Sequence, residues 1–216
     1  MAYPRNSSRS AFTLVELLVV LGIMALFVGV FSTALRPGSP TVAVEGAQAQ
    51  MASLLTQARG VAALKNAPAR LIIHNDNTNP DRYLRFAGIV YAEDENDNGT
   101  IENTEWLPAT DGITLPKFTY AYVDDFANMD LTGGSIEYIS NTSEDYAFIE
   151  FNPNGTVSKV NGASPRLAVS SGQPNQDGSI TRGDEDGNVS NVRGAIVRIY
   201  GSFVLLNEPD AFPSES

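Results

Sequence analysis

The sequence predicts an α+β protein, and three observations carry that reading. An apolar stretch long enough to cross a bilayer lies near the N-terminus, a segment of helical period follows it, and from Ala69 onward apolar residues recur at every second position between turn clusters. The 216 residues, 43% of them apolar, suffice for one packed domain with an appendage.

Residues 1–11, MAYPRNSSRSA, are polar, carry Arg5 and Arg9, and contain no acid. From Phe12 to Phe31 the chain then runs for twenty residues with one charge, Glu16, which is the length a helix needs for a hydrocarbon core of ~30 Å. A transmembrane helix is therefore expected over 12–35. A buried core helix is seldom so uniformly apolar, and a secretory signal has a shorter apolar region of ~7–15 residues followed by small residues. Cations before the stretch and acids after it predict a single-pass chain with its N-terminus in the cytoplasm. A carboxylate within such a span costs several kcal/mol or more, so Glu16 needs a partner.

Pro37, Gly38 and Pro40 break the helix over 36–41, because proline lacks the amide donor and clashes with the preceding turn. A second, amphipathic helix is expected over 42–67. Its apolar face is Met51, Leu54, Leu55, Ala58, Val61 and Ala62, continued by Lys65, with Gln50, Ser53 and Gln57 opposite and Pro68 as the stop. The β-rich domain over 68–216 has expected strands at Arg70–His74, Tyr83–Tyr91, Phe118–Val123, Ser135–Ile139, Tyr146–Phe151, Thr156–Val160, Arg166–Val169, Arg193–Tyr200 and Ser202–Leu206. Turn clusters such as Gly133-Gly134 and Asn152-Pro153-Asn154-Gly155 separate them.

Charge and composition exclude several functions. With 14 Lys plus Arg against 25 Asp plus Glu, a net charge of -11, the chain is a poor match for a protein that holds phosphate backbones, so nucleic acid is not an expected partner. Discarding Arg5 and Arg9 gives 12 minus 25, or -13. The absence of Cys removes disulfides, thiolate zinc sites and cysteine nucleophiles, and a single His leaves little for imidazole catalysis. No G-x-S-x-G elbow, phosphate loop or H-E-x-x-H motif appears, and no enzyme activity is expected.

Ala11-Phe12-Thr13-Leu14-Val15-Glu16-Leu17-Leu18-Val19-Val20 resembles the processing and methylation motif of type IV pilins and pseudopilins. The resemblance implies that a prepilin peptidase cuts between Ala11 and Phe12 and that the new Phe12 amine is methylated. That family usually has Gly before the cut, and this chain has Ala11, a small residue tolerated there. Cleavage makes Glu16 the fifth mature residue. The resemblance further implies that Glu16 pairs with the Phe12 amine of a neighbouring subunit, joining two groups that are each costly in lipid and setting subunit register. The pilin plan, one N-terminal helix laid against a β domain, agrees with the element order. Within the family, Leu54-Leu55-Thr56-Gln57-Ala58-Arg59-Gly60-Val61-Ala62, Gly88 to Glu102, and Phe151-Asn152-Pro153-Asn154-Gly155 are similar to segments of the minor pseudopilin group that includes GspH and FimT. The stretch between Gln173 and Asn191 has no counterpart in that group.

The loop DENDNGTIENTE, Asp94 to Glu105, has the D-x-[DN]-x-[DN]-G-x5-E spacing of a calcium loop. Asp94, Asn96, Asn98, the Thr100 carbonyl and a bidentate Glu105 would supply oxygen ligands to one Ca²⁺. A strand pattern precedes the loop where an EF-hand has a helix, and the competing reading is a solvated hairpin loop whose Asp, Asn and Gly provide turn geometry. Trp106 is expected to anchor that loop by packing, His74 to be structural or on the surface, and Asp177, Asp184 and Asp186 to lie in a mobile loop.

The expected function is that of a minor pseudopilin or minor pilin, a structural and assembly subunit of a type II secretion-like pseudopilus or a type IV pilus. The resemblance implies prepilin peptidase, other pilin subunits, an inner-membrane assembly platform with its ATPase, and the lipid bilayer as partners. The alternative is a pilus-tip binding module for adhesion, a secreted substrate or DNA uptake. The expected location is the bacterial inner membrane, with the C-terminal domain in the periplasm.

Overall fold

The computed structural model describes residues 14–34, 40–93, 105–123, 127–131, 135–138, 143–183 and 191–212. The chain divides into two compact units, Met1–Gly38 and Ser39–Ser216.

In the first unit, α1 runs over Leu14–Ala34, 21 residues with neither Pro nor a second charge to interrupt it. Every described side chain of α1, from Leu14 to Phe27, is exposed. Among the described residues no helix is long and apolar enough to cross a membrane. The described side chains of α1 end at Phe27, and 14–27 spans about 21 Å at 1.5 Å per residue. The expected break over 36–41 falls mostly outside the described residues, as does the Gly133-Gly134 turn.

The second unit opens with α2, Pro40–Lys65. It begins before the expected position 42 because proline, with no amide to satisfy, is well placed in a first turn. It ends at Lys65, before Pro68 is reached. Asn66 takes a left-handed conformation (φ 51°) and the Ala67 amide bonds back to the Ala62 carbonyl at 3.3 Å, a Schellman closure.

Two antiparallel sheets follow. The first is built from β1 (Ala69–His74), β2 (Phe86–Ala92), β3 (Trp106–Pro108), β4 (Ile113–Thr114), β6 (Ser135–Glu137) and β7 (Ser143–Phe151), in the order β3-β2-β1-β7-β6 with β4 also on β2. The second contains β5 (Thr119–Tyr122), β8 (Arg166–Pro174), β9 (Ile180–Arg182), β10 (Arg193–Val197) and β11 (Phe203–Leu206), in the order β11-β10-β8-β5 with β9 on the end of β8.

One core joins them. Val44, Ala47, Met51, Leu54, Leu55, Ala58 and Ala62 of α2 pack with Leu71, Ile73, Ile89 and Ile149 of the first sheet and Leu167, Val169, Ala195 and Val197 of the second. The opposite face of the first sheet holds a second cluster, including Ile72, Val90, Trp106, Ile136, Tyr138, Tyr146 and Phe148. Burial on both faces explains the unbroken apolar run Leu71-Ile72-Ile73, where a one-sided strand would alternate.

Several strand expectations need correction. Thr156–Val160 is not a strand: only the bridges Phe151↔Val157 and Val160↔Ala163 form, and Asn161 and Gly162 turn the chain with φ of 50° and 80°. Residues 83–85 are also outside a strand, since Leu84 is left-handed (φ 54°) and its amide donates to the His74 carbonyl at 2.8 Å. The expected strand Arg193–Tyr200 stops at Val197, where Arg198 to Gly201 form a turn closed by a 2.7 Å bond from the Gly201 amide to the Arg198 carbonyl. Within 173–191, Asp177 lies in an ordered turn between β8 and β9, and its carboxylate accepts from the Ser179 amide at 2.9 Å. Asp184 and Asp186 lie outside the described residues.

Candidate functional site

The N-terminal site is the start of α1. Ala11 and Phe12 lie outside the described residues. Glu16 sits in the first helical turn and is exposed, where the positive end of the helix dipole favours a carboxylate by ~0.3–1 kcal/mol at a surface. Around it, Leu14, Val15, Leu17 and Leu18 are 77%, 68%, 59% and 63% exposed. A helix apolar on every side has no solvent-facing stripe, so its burial requires an apolar medium or other helices. Such a segment can insert and pack.

The second expected site is the acidic loop. Asp94, Asn96, Asn98 and Thr100 lie outside the described residues, which resume at Glu105. Ala92 pairs with Trp106 across β2 and β3, and the Glu93 amide donates to the Glu105 carbonyl at 2.9 Å, so the loop connects two adjacent antiparallel strands. Glu105 itself is 2% exposed, which removes its carboxylate from the solvated surface. Trp106 packs as expected, and the Arg70 guanidinium lies over its ring at 3.7 Å and over that of Phe148 at 3.9 Å. Arg70 Nε also donates to Glu150 at 2.9 Å. Burial lowers the Arg70 pKa, opposed by Glu150 and Asp130.

A buried polar cluster lies at the far end of β1. The β1–β7 register sets His74 opposite Tyr146, with ring centroids 5.4 Å apart, edge to face. His74 is fully buried, and its Nε2 stands 3.5 Å from Glu144. Glu144 in turn accepts from Arg82 Nη1 at 2.5 Å and from the Tyr146 hydroxyl at 2.8 Å, and Arg82 Nη2 donates to that hydroxyl at 3.0 Å. Burial holds the His74 imidazole below its ordinary pKa; Glu144 and Asp76 pull it up, while Arg82 pushes it down. Burial, with Glu144, raises the Tyr146 phenol. The ring is a buried group packed edge to face on Tyr146 and facing Glu144.

Sequence reasoning missed three polar residues that fix the scaffold. Arg82 and Glu144 are 62 positions apart and meet only through the sheet. Gln48 is 7% exposed on the core face of α2, and its amide donates to the Gly194 carbonyl at 2.9 Å, the Leu206 carbonyl at 2.8 Å and Asn207 Oδ1 at 3.2 Å. Its signal was available: Gln48 lies three positions before Met51 on the apolar face, where a polar residue must find partners.

Residues 6–32 match the family model described as the prokaryotic N-terminal methylation motif. No curated protein and no solved structure matches the chain. The matched segment contains the Ala11-Phe12 pair and Glu16, and it leads into a second unit whose helix and antiparallel sheets are compatible with a pilin-like fold. The chain thus carries a prepilin-type N-terminal motif, which supports a type IV pilin-like family.

Proposed function

We propose that this protein is a minor pseudopilin or minor pilin, a structural and assembly subunit and not an enzyme. The observation that carries the reading is the methylation-motif match over residues 6–32, with Glu16 in the first turn of an apolar helix. In this reading prepilin peptidase cuts after Ala11, Phe12 is methylated, and residues 12–35 anchor the chain in the inner membrane. The β domain lies in the periplasm. An assembly platform and its ATPase lift the subunit into a filament, where Glu16 meets the Phe12 amine of a neighbour and two groups costly in lipid neutralise each other. The GspH/FimT-like group is the subgroup we favour, on the segments at Leu54–Ala62, Gly88–Glu102 and Phe151–Gly155.

Coexpression with a prepilin peptidase is the test. The mature chain should lack Met1 to Ala11 by intact mass, and Glu16→Ala should be trimmed and inserted normally yet enter filaments at least about tenfold less. Retention of the leader, or cutting near Leu35, would sink the assignment; normal entry of Glu16→Ala would remove the pairing alone.

A further inference from the structure

Among the described residues the second unit carries the dipeptide Asn-Gly twice, at 154–155 and at 161–162, and the fold treats the two copies oppositely. At Asn154-Gly155 the side chain and the following amide are both engaged. Asn154 Oδ1 accepts from the Thr156 amide at 3.0 Å and from the Thr156 hydroxyl at 2.6 Å, and the Gly155 amide donates to the Asn152 carbonyl at 2.8 Å. Gly155 is buried as well: a Cβ on it would stand 3.1 Å from Arg59 Nε, and its carbonyl oxygen would lie 2.2 Å from a Cβ on Gly201. Little can turn there.

Asn161-Gly162 forms a two-residue hairpin tip with both residues left-handed, φ of 50° and 80°, the conformation this dipeptide favours. The ends of the turn are fixed. Val160 and Ala163 exchange amide-to-carbonyl bonds at 3.1 and 2.9 Å, and Asn128 Nδ2 donates to the Val160 carbonyl at 2.9 Å and to the Ser164 carbonyl at 3.3 Å. The tip between them is not held. Asn161, Gly162 and Ala163 are exposed, and apart from the chain neighbours no atom stands within 4 Å of where a Gly162 Cβ would be. Among the described residues nothing bonds the Asn161 carboxamide or the Gly162 amide. A carboxamide carbon and the next amide nitrogen therefore share one short solvated turn with no competing partner, and glycine adds no Cβ to hinder their approach.

We infer that Asn161 is a site of spontaneous covalent modification, closing on the Gly162 nitrogen to a cyclic imide that water opens to aspartate and isoaspartate. The Gly162 nitrogen attacks Asn161 Cγ. The new N–Cγ bond forms, the Cγ–Nδ2 bond breaks, and Nδ2 leaves as ammonia with the proton of the Gly162 amide. Water then adds to either imide carbonyl, giving its hydroxyl to carbon and a proton to nitrogen, and nothing is oxidised or reduced. Addition at Cγ restores the ordinary backbone with an aspartate at 161. Addition at the Asn161 backbone carbonyl leaves the chain running through Cγ, which lengthens by a methylene a turn whose pairing of Val160 with Ala163 depends on its present span. Either product places a carboxylate on a chain already at -11. Asn154 resists the same chemistry, because closing its ring would break the bonds to Thr156 and Asn152 and move a glycine packed on Arg59.

The test ages the full-length protein in micelles in mildly alkaline buffer and digests it with trypsin, which cuts after Lys159 and so puts the two sites on different peptides. Asn161 should convert about tenfold faster than Asn154 or more, the factor that one net hydrogen bond carries. The readouts are the mass gain of an acid over an amide, located by fragmentation, and enzymatic methyl transfer to isoaspartate on the peptide 160–166. In denaturant, where the two dipeptides differ only in their flanking residues, the ratio should fall towards one. Thr156→Val, which removes the hydroxyl's bond to Asn154 and keeps the amide's, should raise the Asn154 rate in the folded chain and leave Asn161 unchanged. Equal conversion of the two sites in the folded chain, or an excess at Asn161 that persists in denaturant, overturns the inference.

Discussion

α1 and α2 are consecutive helices of 21 and 26 residues, and they dispose of their apolar side chains in opposite ways. In α2 the apolar residues keep a helical period, and Val44, Ala47, Met51, Leu54, Leu55, Ala58 and Ala62 all disappear into one core shared by two sheets. In α1 they have no period, and every described side chain is exposed. Periodic apolarity specifies a place within the chain's own fold. Apolarity on all sides calls for an apolar medium or other helices. The two helices should therefore respond differently to the same substitution. Leu55→Ala, at a site 1% exposed, should cost the β domain about 2–5 kcal/mol, because a cavity is added to the lost burial. Leu18→Ala, at a site 63% exposed, should leave unfolding of that domain within about 0.5 kcal/mol and reduce only membrane retention. Denaturant titration of both full-length variants in micelles makes the measurement; equal losses would mean that α1 is part of the domain's core.

The next effect is smaller and lies on α2 alone. Gln48 is the polar exception on the buried face, and three acceptors at the β10–β11 base depend on its amide. Gln48→Leu should cost about 1–3 kcal/mol by leaving buried carbonyls without a donor, even though the substitution is more apolar. A stable Gln48→Leu variant would show that water replaces the amide, and the apolar face of α2 would then be sufficient by itself.

Acid should separate the two units in another way. The only His lies in the second unit, fully buried and held below its ordinary pKa of 6.5 mainly by burial. The unfolded chain therefore binds this proton more readily than the folded one. Stability from this group is complete above the unfolded value and is lost as pH falls below it toward the folded pKa. As pH falls from about 7 to about 5, the midpoint of the β domain should fall further in the natural chain than in His74→Phe. Parallel pH profiles in thermal melts would show that the folded chain takes up this proton as readily as the unfolded one, so that burial does not depress His74.

The sequence made the regular parts legible and left the cooperative parts hidden. The face of α2 could be read because Met51, Leu54, Leu55 and Ala58 obey one period, and β1 could be read because Leu71-Ile72-Ile73 has nowhere to go but a doubly buried strand. Thr156–Val160 looked like a strand by composition, yet Thr156 is occupied by Asn154 and Asn152, and the chain there makes bridges only. The short strands β3, β4 and β9, of three, two and three residues, carry too few positions for a period to appear. The His74 cluster was illegible for a different reason. Arg82, Glu144 and Tyr146 become neighbours only once β1 and β7 are in register, and no local pattern encodes that pairing.

The smallest expected effect belongs to the loop from Asp94 to Glu105, and it tests whether a motif's spacing outweighs its setting. Glu105, which closes the spacing, is 2% exposed and stands directly before a Trp106 held under the Arg70 guanidinium. A strand, Phe86–Ala92, leads into the loop where a calcium loop has a helix, which favours the hairpin-turn reading. The full-length protein should therefore melt at the same temperature, within about 1 °C, in millimolar Ca²⁺ and in chelator. Glu105→Gln is the informative companion, because it keeps the buried volume while removing the charge, whereas truncation to Ala would destabilise the site through a cavity regardless of any metal. A Ca²⁺-dependent rise in midpoint that Asp94→Ala and Glu105→Gln each abolish would replace the turn with a cation site.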